Sequence, residues 1–335
     1  MKFVDLFAGI GGFHQAARNV FGSKYRCVAT CEINQHCKRV LTRQYDISST
    51  DFHDDIKSIN NPSIAASASL PSHDILFGGF PCQSFSNVGM RRGLNDDRGI
   101  LFYDLARVIE HSTPSLFLLE NVQKITTIEN GKTLQKITSK LTDLGYNVSI
   151  WDLRSDMYGL PQKRRRIFIA GVRSNKKSCA IPPPPTVDLE SSKYKSVWEL
   201  LDQSMPERHI VPQGSRKTIF EKNPKWMGHL GINNSIARPL CASMGKWHRA
   251  NQDNYFTEDY IYDQNRPNLI DYDWKKENLR RITPIEGLRL QGFGSDLHDT
   301  FLQENISITS QYHMLGNAVP VNLAEAALKQ LISHV

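Results

Sequence analysis

One cysteine of the chain lies where a thiol could act as a nucleophile. Cys82 belongs to the run GGFPCQSFS at residues 78–86, which continues a short apolar run at residues 74–78. If that run is a buried strand, the loop after it exposes the thiol and places it near backbone amides that can stabilise a thiolate. Such stabilisation is needed because the pKa of free cysteine is near ~8.5 and the thiolate is the nucleophile. Taken alone, a cysteine in such a place is more often an inert, buried thiol.

A glycine-rich turn near the start of the chain could bind a nucleotide-like ligand. The run DLFAGIGG at residues 5–12 overlaps the end of a predicted strand at residues 3–7 and precedes a predicted helix at residues 14–21. Glycine lets the backbone approach a ligand closely, and open α/β sheets bind ligands beyond the carboxyl ends of their strands. The spacing differs from the G-x-G-x-x-G of dinucleotide sites, so nothing beyond the turn itself favours a nicotinamide oxidoreductase.

Acidic residues further along the chain could complete this site. Glu32 follows a predicted strand at residues 25–29 and could accept hydrogen bonds from ribose hydroxyls, although a solvated carboxylate at a helix start is the alternative. Asp54 and Asp55, with Ile56, could serve similarly near an adenine. Together these residues fit an adenosine ligand whose phosphates, if it has any, are not bound by the protein. S-adenosylmethionine is such a ligand.

The elements that must position these residues follow the pattern of a wound α/β sheet. Short apolar runs alternate with helix-like segments in the first half of the chain, and further strands are predicted at residues 74–78, 116–119 and 166–172. A proline run at residues 182–185 marks a boundary, after which the sequence is irregular and polar to about residue 278. Regular structure is predicted again at residues 280–292 and in a terminal helix at residues 319–332.

Composition narrows the class of protein further. The 335 residues include 41 basic and 34 acidic side chains, a net charge of +7 with a pI near 9.0, which favours a polyanionic partner such as nucleic acid. No apolar run approaches the ~18 residues of a membrane span, and the first residues lack the regions of a signal peptide, so we expect a cytoplasmic protein. The six cysteines are too sparse for a disulfide framework and lack the paired spacing of a zinc site, so no metal is expected.

Six motifs follow one another along nearly the whole chain. They are DLFAGIGGF from Asp5, GGFPCQSFS from Gly78, ENV from Glu120, QKRRR from Gln162, RRITPIEGLRLQGF from Arg280 and GNAVPVNLA from Gly316. In type and order they resemble those of the DNA (cytosine-5)-methyltransferases, especially the compact bacterial restriction–modification type. The resemblance implies a Rossmann-like, S-adenosylmethionine-dependent methyltransferase sheet in a catalytic domain at residues 1–180. It further implies a smaller, irregular target-recognition domain at residues 181–290 and a return segment at residues 291–335 that completes the catalytic domain.

The resemblance also implies the chemistry of four residues. Cys82 would add to C6 of a flipped-out cytosine in a specific double-stranded DNA sequence, so that C5 can take a methyl group from S-adenosylmethionine. Glu120 would protonate or hydrogen-bond N3, and one or both of Arg164 and Arg166 would hold O2 and steady that glutamate. Loss of the C5 proton and elimination of the cysteine would release 5-methylcytosine, with S-adenosylhomocysteine as the second product. A helix turn or a set of phosphate contacts is the alternative for residues 162–166.

The same resemblance implies which residues bind the cofactor and the DNA. The cofactor-binding residues are Phe7, Ala8, Gly9, Gly11, Gly12, Glu32, Ile33, Asp55, Ile56, Pro81, Leu101 and Asn317. The DNA-binding residues are Gln83, Ser84, Ser86, Arg91, Arg92, Arg98, Gln162, Lys246 and Arg249. Arginines and serines of residues 84–98 suit phosphate contacts, and residues 245–254 carry arginine, asparagine and glutamine, which can pair with base edges.

One departure and two competing interpretations remain. Residues 238–243 read RPLCAS where the family usually carries a threonine in a T-L-x-A-like stretch, which puts a backbone contact near the flipped base in doubt. An RNA cytosine-5 methyltransferase and a DNA-binding regulator with vestigial catalytic parts are the alternatives; the full-length insert after Ile181 favours DNA over RNA. We further expect a monomer, associated with the nucleoid, and a cognate restriction endonuclease that acts separately.

Overall fold

Seven strands of the described residues form one sheet. The computed structural model describes residues 1–61, 63–64, 68–81, 100–174, 180–221, 231–246, 248–249, 252–263 and 278–334. The strands are β1 (Lys2–Leu6), β2 (Arg26–Cys31), β3 (Phe52–His53), β4 (Ile75–Gly79), β5 (Leu116–Val122), β6 (Tyr146–Arg154) and β7 (Arg165–Arg173). They lie in the order β3-β2-β1-β4-β5-β7-β6, with parallel pairing from β3 to β5 and an antiparallel pair of β5 with β7. The predicted α/β sheet is confirmed.

The described helices fall into two groups along the chain. The helices α1 (Gly12–Phe21), α2 (Gln35–Tyr45), α3 (Ile100–Ser112) and α4 (Lys132–Asp143) alternate with the strands. After the sheet come α5 (Gln213–Glu221), α6 (Glu258–Tyr262), α7 (Pro284–Leu290), α8 (Asp296–Gln303), α9 (Ile308–Asn317) and α10 (Val321–Ile332), with an antiparallel pair of β8 (Tyr255–Thr257) and β9 (Leu279–Arg281). No helix in the described ranges has the length and apolar character needed to cross a membrane.

The central strands are buried because apolar side chains alternate to both faces of the sheet. Phe3, Val4 and Leu6 of β1 are fully buried, as are residues 75–77 of β4. Continuous burial of this kind is typical of a parallel sheet that is covered on both faces. Helix α1 packs on the sheet through Phe13, whose ring stacks on that of Phe77 with 5.0 Å between centroids. The loops at the carboxyl edge therefore start from rigid strands.

The chain divides into two compact units whose bounds differ from those implied by the sequence. The first unit holds residues 1–153, 165–185 and 323–335, and the second holds residues 154–164 and 186–322. The sequence placed the first boundary at residue 180 and the return at residue 291. Residues 154–164, which include Gln162 and Arg164, thus belong to the second unit. The catalytic, target-recognition and return roles of the three segments stay predictions.

A buried ion pair organises part of the second unit. Arg280 of β9 and Glu286 of α7 are both fully buried, and the guanidinium donates to the two carboxylate oxygens over 2.9 and 2.7 Å. Glu286 also accepts from the backbone of Thr283, which caps the N terminus of α7 in return. A buried pair that is hydrogen-bonded in this way fixes one arrangement of the chain, since breaking it would leave an uncompensated charge. Regular structure therefore returns where the sequence predicted it, at residues 280–292.

We expect acid to destabilise the second unit through His209. Burial, followed by the positive charges of Arg208 and two neighbouring arginines, lowers the pKa of His209 to about 4. In the unfolded chain the imidazole takes up its proton near pH ~6.5. Because the unfolded state binds more protons between these two values, lowering the pH from ~7 to ~5 should reduce the free energy of unfolding by about 2 kcal/mol through this residue.

Urea titrations at both pH values test this expectation on the parent, His209→Gln and a variant of the exposed His36, His36→Gln. The acid-dependent loss of stability should shrink by that amount in His209→Gln and stay unchanged in His36→Gln. An equal loss in all three proteins would contradict the assignment.

Candidate active site

The glycine turn and the residues that lead to the PCQ motif follow two adjacent strands of the sheet. The strand order reverses between β1 and β4, and open α/β sheets bind ligands in the crevice outside the carboxyl ends of strands at such a point. Strand β1 ends at Leu6, which pairs with Gly78 of β4, and the glycine turn follows it. Strand β4 ends at Gly79, and Phe80 connects it to Pro81, the first residue of the PCQ motif at residues 81–83.

Several predicted site residues fall outside the described ranges. They are Cys82, Gln83, Ser84, Ser86, Arg91, Arg92 and Arg98. Their predicted roles therefore stay predictions.

The turn after β1 holds its backbone in the left-handed region at three positions. Phe7, Gly9 and Gly11 have φ angles of 57°, 58° and 86°. Positive φ is uncommon for a residue other than glycine, and Phe7 is held there while it packs against the core of the first unit. A Cβ at Gly9 would meet no described atom within 4 Å, whereas one at Gly11 would lie 2.4 Å from the Tyr45 ring. Gly9 thus leaves an open cradle, and Gly11 lets Tyr45 donate its hydroxyl to the Gly11 carbonyl at 3.1 Å.

Glu32 connects this turn to the end of β2. One carboxylate oxygen accepts the Gly9 N–H at 2.8 Å, and the other accepts the Asn34 N–H at 2.8 Å. Each carboxylate oxygen has a second acceptor site, so both can still receive a ribose hydroxyl. Ile33 beside it is 70% exposed, the highest value among the exposed large hydrophobic residues that are described. An oriented carboxylate next to an uncovered apolar side chain suits a nucleoside.

The structure separates the two aspartates that follow β3. Asp54 is exposed and pairs with Lys38, with 2.5 Å between the ammonium and a carboxylate oxygen. Asp55 instead caps a single 3-10 turn at Ile56–Ser58, where its carboxylate accepts the Lys57 N–H at 3.0 Å. Ile56 is buried at the start of that turn. Asp55 is thus tied to the turn at Ile56, and its predicted place beside an adenine stays a prediction.

The other predicted cofactor-binding residues lie on several separate elements. Ala8 is buried and donates its N–H to the Cys31 carbonyl at 3.2 Å, and Gly12 is the first residue of α1. Leu101 is half-buried on α3 and packs against the core of the first unit, whereas Pro81 is exposed. Asn317 is exposed at the end of α9, in the second unit. The open turn and the preformed acceptor at Glu32 fit an adenosine cofactor.

Glu120 and Arg166 form the charged part of the site. Glu120 lies on β5 in register with Gly79 of β4, three residues before Cys82. The Nε atom of Arg166, on β7, lies 2.6 Å from a carboxylate oxygen of Glu120, and both side chains are about nine-tenths buried. Two antiparallel strands therefore bring the ENV and QKRRR motifs together, and the predicted catalytic roles of Glu120 and Arg166 stay predictions.

Asn121 is a site residue that the sequence analysis quoted without assigning a role. Its side-chain amide is buried and donates to the Phe80 carbonyl at 2.9 Å, while its oxygen accepts the Val122 N–H at 2.8 Å. This bond links the end of β5 to the residues just before the PCQ motif. A buried amide inside a motif is the signal that could have identified it.

Arg164 and Gln162 make bonds that differ from their predicted contacts. The buried Arg164 donates to the carbonyls of Leu240, Gly316 and Ala318 over 2.8 to 2.9 Å. Gln162 is also buried, donates to the Leu290 carbonyl at 2.8 Å and accepts the Leu240 N–H at 3.2 Å. Both side chains thus tie together distant segments of the second unit. Their predicted contacts with cytosine and DNA stay predictions.

The RPLCAS stretch packs closely on the last motif. A Cβ at Gly316 would lie 2.0 Å from the Ala242 nitrogen, so glycine is required there for the two backbones to touch. Cys241, the position that departs from the family pattern, is half-buried between Leu240 and Ala242. Of the predicted DNA-binding residues nearby, Lys246 is exposed, and Arg249 donates to the Gln252 side chain at 2.8 Å.

The sheet, with its glycine turn after β1 and its antiparallel β7 beside β5, is that of a Rossmann-like methyltransferase. The chain belongs to the C-5 cytosine-specific DNA methylase family, whose model matches residues 1–333. It is therefore a DNA cytosine-5-methyltransferase, and its methylation depends on S-adenosylmethionine. The family predicted from the six motifs is confirmed.

Similar proteins span almost the same length. The Type II methyltransferase M.DsaV of Dactylococcopsis salina is 31% identical over 344 residues, which cover 100% of this chain and 87% of that protein. M.NlaX of Neisseria lactamica is 32% identical over 341 residues, 98% of this chain and 96% of that protein. Among solved structures, Spodoptera frugiperda DNMT2 has a TM-score of 0.75 at 22% identity and covers 99% of both chains. S. pombe Dnmt2 methyltransferase has a TM-score of 0.74 at 19% identity and covers 100% of this chain and 99% of that one. These two structures share the fold.

Replacing Glu32 with alanine should weaken cofactor binding. The change removes the predicted acceptor for the ribose and releases the Gly9 and Asn34 amides, so we expect the Kd for S-adenosylmethionine to rise about tenfold or more. DNA affinity should change much less. Calorimetry with the cofactor and fluorescence anisotropy with duplex DNA measure the two, with the exposed Glu110→Ala as a control. Equal cofactor affinity in parent and Glu32→Ala would count against the role of this carboxylate.

Proposed function

We propose that this protein methylates C5 of a flipped-out cytosine in a specific double-stranded DNA sequence, through a transient bond between Cys82 and C6. The observation that carries the proposal is the Glu120–Arg166 pair, in which Glu120 lies in register with the last residue of β4. The PCQ motif begins two residues further along the chain. A carboxyl group with a fixed orientation, beside the strand that precedes this motif, thus supports the proposal.

In a duplex, C5 and C6 of the cytosine are inside the base stack, where the enzyme cannot reach them. The reaction therefore begins with the substrate base flipped out of the double helix. The Cys82 thiolate forms a bond to C6, and the electron pair of the C5–C6 double bond moves toward C5. Glu120 supports this step by a hydrogen bond or a proton to N3, and Arg166 holds the carboxyl group in one orientation. S-adenosylmethionine, when bound, supplies a methyl group activated by its positively charged sulfur. Loss of the C5 proton and departure of the Cys82 sulfur then restore the aromatic ring.

The residues of the glycine turn and the next two strands would hold the cofactor. Glu32 would accept the ribose hydroxyls, and Phe7, Ile33, Asp55 and Ile56 would surround the adenine. Gly9 would let the ligand approach the backbone, since a side chain there would fill the open cradle. The methionine part would meet residues from three separate segments, namely Pro81, Leu101 and Asn317.

The DNA partner and the biological setting follow from charge and from the relatives. The net charge of +7 favours a polyanion, and its phosphate contacts should make DNA affinity fall with salt. The relatives described above are named Type II methyltransferases, so we infer that this chain is the modification enzyme of a restriction–modification system. A cognate endonuclease would act separately, and the methyltransferase would work as a monomer in the cytoplasm, associated with the nucleoid.

Two measurements test this function directly. Purified protein with labelled S-adenosylmethionine should transfer the label to duplex DNA and leave transfer RNA unlabelled. Bisulfite sequencing of DNA from cells that express the protein should show one short sequence with a methylated cytosine. Label in transfer RNA alone would favour the RNA enzyme, and unmodified DNA and RNA would favour the regulator.

A further inference from the structure

An arginine on α3 is bonded to the turn that carries the predicted adenine pocket. The Nη2 atom of Arg107 lies 3.2 Å from the carbonyl oxygens of both Ile56 and Ile59, and 3.5 Å from that of Lys57. These carbonyls belong to the 3-10 turn that Asp55 caps and to the residue that follows it. One planar guanidinium thus donates to three backbone oxygens, those of residues 56, 57 and 59, at a turn that begins at the predicted adenine contacts.

The guanidinium is itself held in place from its own helix. Its Nη1 atom pairs with the carboxylate of Asp104, one turn earlier on α3, and the Asp104 side chain is 5% exposed and that of Arg107 20% exposed. Since both groups are largely shielded from water, the pair restricts the arginine to one orientation. A short turn offers few hydrogen bonds of its own, and buried carbonyl groups need partners. Arg107 supplies a donor to the carbonyls of residues 56, 57 and 59.

We propose that Arg107 is a positioning residue for the cofactor, which sets the turn at residues 55–59 so that Asp55 and Ile56 meet the adenine. The proposal rests on the proposed function, which places the adenine there. Leu101, predicted to contact the methionine part, lies on the same helix. One rigid element therefore fixes the relative positions of the residues at the two ends of the cofactor, and preformed geometry of this kind reduces the ordering cost of binding.

Loss of the Arg107 guanidinium should weaken the binding of the adenine more than it slows methyl transfer. In Arg107→Met the Kd for S-adenosylhomocysteine should rise about tenfold, as expected for the loss of charge-assisted hydrogen bonds at the pocket. The turnover number at saturating cofactor should stay within about threefold, because the reacting groups are unchanged. Arg107→Lys keeps the charge but presents a single nitrogen, so its affinity should lie between those of the parent and Arg107→Met.

The base-specific readout uses an analogue with altered adenine. S-inosylhomocysteine carries an oxygen where the adenine has its amino group, so calorimetry with both ligands measures discrimination at the position that Asp55 is proposed to read. Because Asp55 is proposed to lie beside the adenine, that discrimination should fall in Arg107→Met and in Asp55→Asn, and the double variant should lose little more than either single one. Arg289→Met is the matched control, because Arg289 pairs with Asp202 and the Leu200 carbonyl in the second unit. It should leave both affinities unchanged.

The outcomes separate this inference from the proposed function. Unchanged affinity for S-adenosylhomocysteine in both Arg107 variants would overturn the positioning role, as would equal losses for the two ligands. If Arg107→Met does not fold, full parental affinity and discrimination in Arg107→Lys would overturn the role in the same way. A parent protein that neither binds S-adenosylhomocysteine nor methylates DNA would instead refute the proposed function.

Discussion

Replacing Cys82 with alanine should reduce methyl transfer by at least about 10⁴-fold, the scale seen when a catalytic nucleophile is removed. The expected loss is this large because C5 of cytosine is a poor nucleophile until a bond forms at C6. S-adenosylmethionine affinity should remain near that of the parent, since Glu32 and the glycine turn carry the proposed contacts. Labelled transfer to duplex DNA measures the first quantity, and calorimetry measures the second.

A second cysteine provides the matched control for this experiment. Cys27 is on β2, half-buried, with its thiol near the Thr30 hydroxyl at 3.3 Å. Cys27→Ser removes a thiol while keeping a polar group of similar size, and it should retain methyl transfer. Unchanged turnover in Cys82→Ala would refute the assignment of the nucleophile, and a comparable loss in both variants would point to a general effect on folding.

Replacing Glu120 with glutamine should lower the rate of methyl transfer by about 10² to 10⁴-fold, the range that general acid catalysis contributes. Glutamine keeps the shape of the side chain but cannot supply a carboxyl proton to N3, and it presents no charge to Arg166. Arg166→Lys should cause a smaller loss, because lysine keeps the charge without the planar geometry of the guanidinium. Single-turnover rates at saturating cofactor and DNA isolate this step from binding.

The control for this pair is an exposed ion pair in the first unit. Glu110 of α3 lies 3.9 Å from the Lys140 ammonium, and Glu110→Gln should leave the single-turnover rate unchanged. A Glu120→Gln variant with the parental rate would show that the buried carboxyl has no part in the chemistry. A loss confined to cofactor affinity would assign it to binding instead.

The parts of the site predicted from sequence are those set by neighbouring residues in the chain. A glycine turn between a strand and a helix has a local geometry, so the open backbone at Gly9 and the strand before it followed from residues 3–21 alone. Glu32 could be placed because a residue at the carboxyl end of a strand faces the same edge as its neighbours. The pairing of Arg166 with Glu120 came from the family resemblance and from no local pattern.

The parts that sequence analysis missed depend on contacts between distant segments. Arg164 binds carbonyls 76 to 154 residues away, and no local pattern distinguishes it from Arg166 two positions later. The strand predicted at residues 116–119 continues to Val122 in the structure. The prediction stopped early because Glu120 and Asn121 are polar and end the apolar run. Both side chains have buried partners that only the fold supplies. The loop at residues 154–164 likewise groups with later parts of the chain, and the predicted domain roles stay predictions.

The most direct test of the central claim is to trap the covalent intermediate. Duplex DNA with 5-fluorocytosine at the methylated position provides no C5 proton to remove, so the Cys82 sulfur cannot depart after methyl transfer. Incubation with S-adenosylmethionine, digestion and mass spectrometry should find the nucleotide joined to the peptide that contains Cys82. Folded enzyme that binds both ligands and yields no such conjugate would contradict the mechanism.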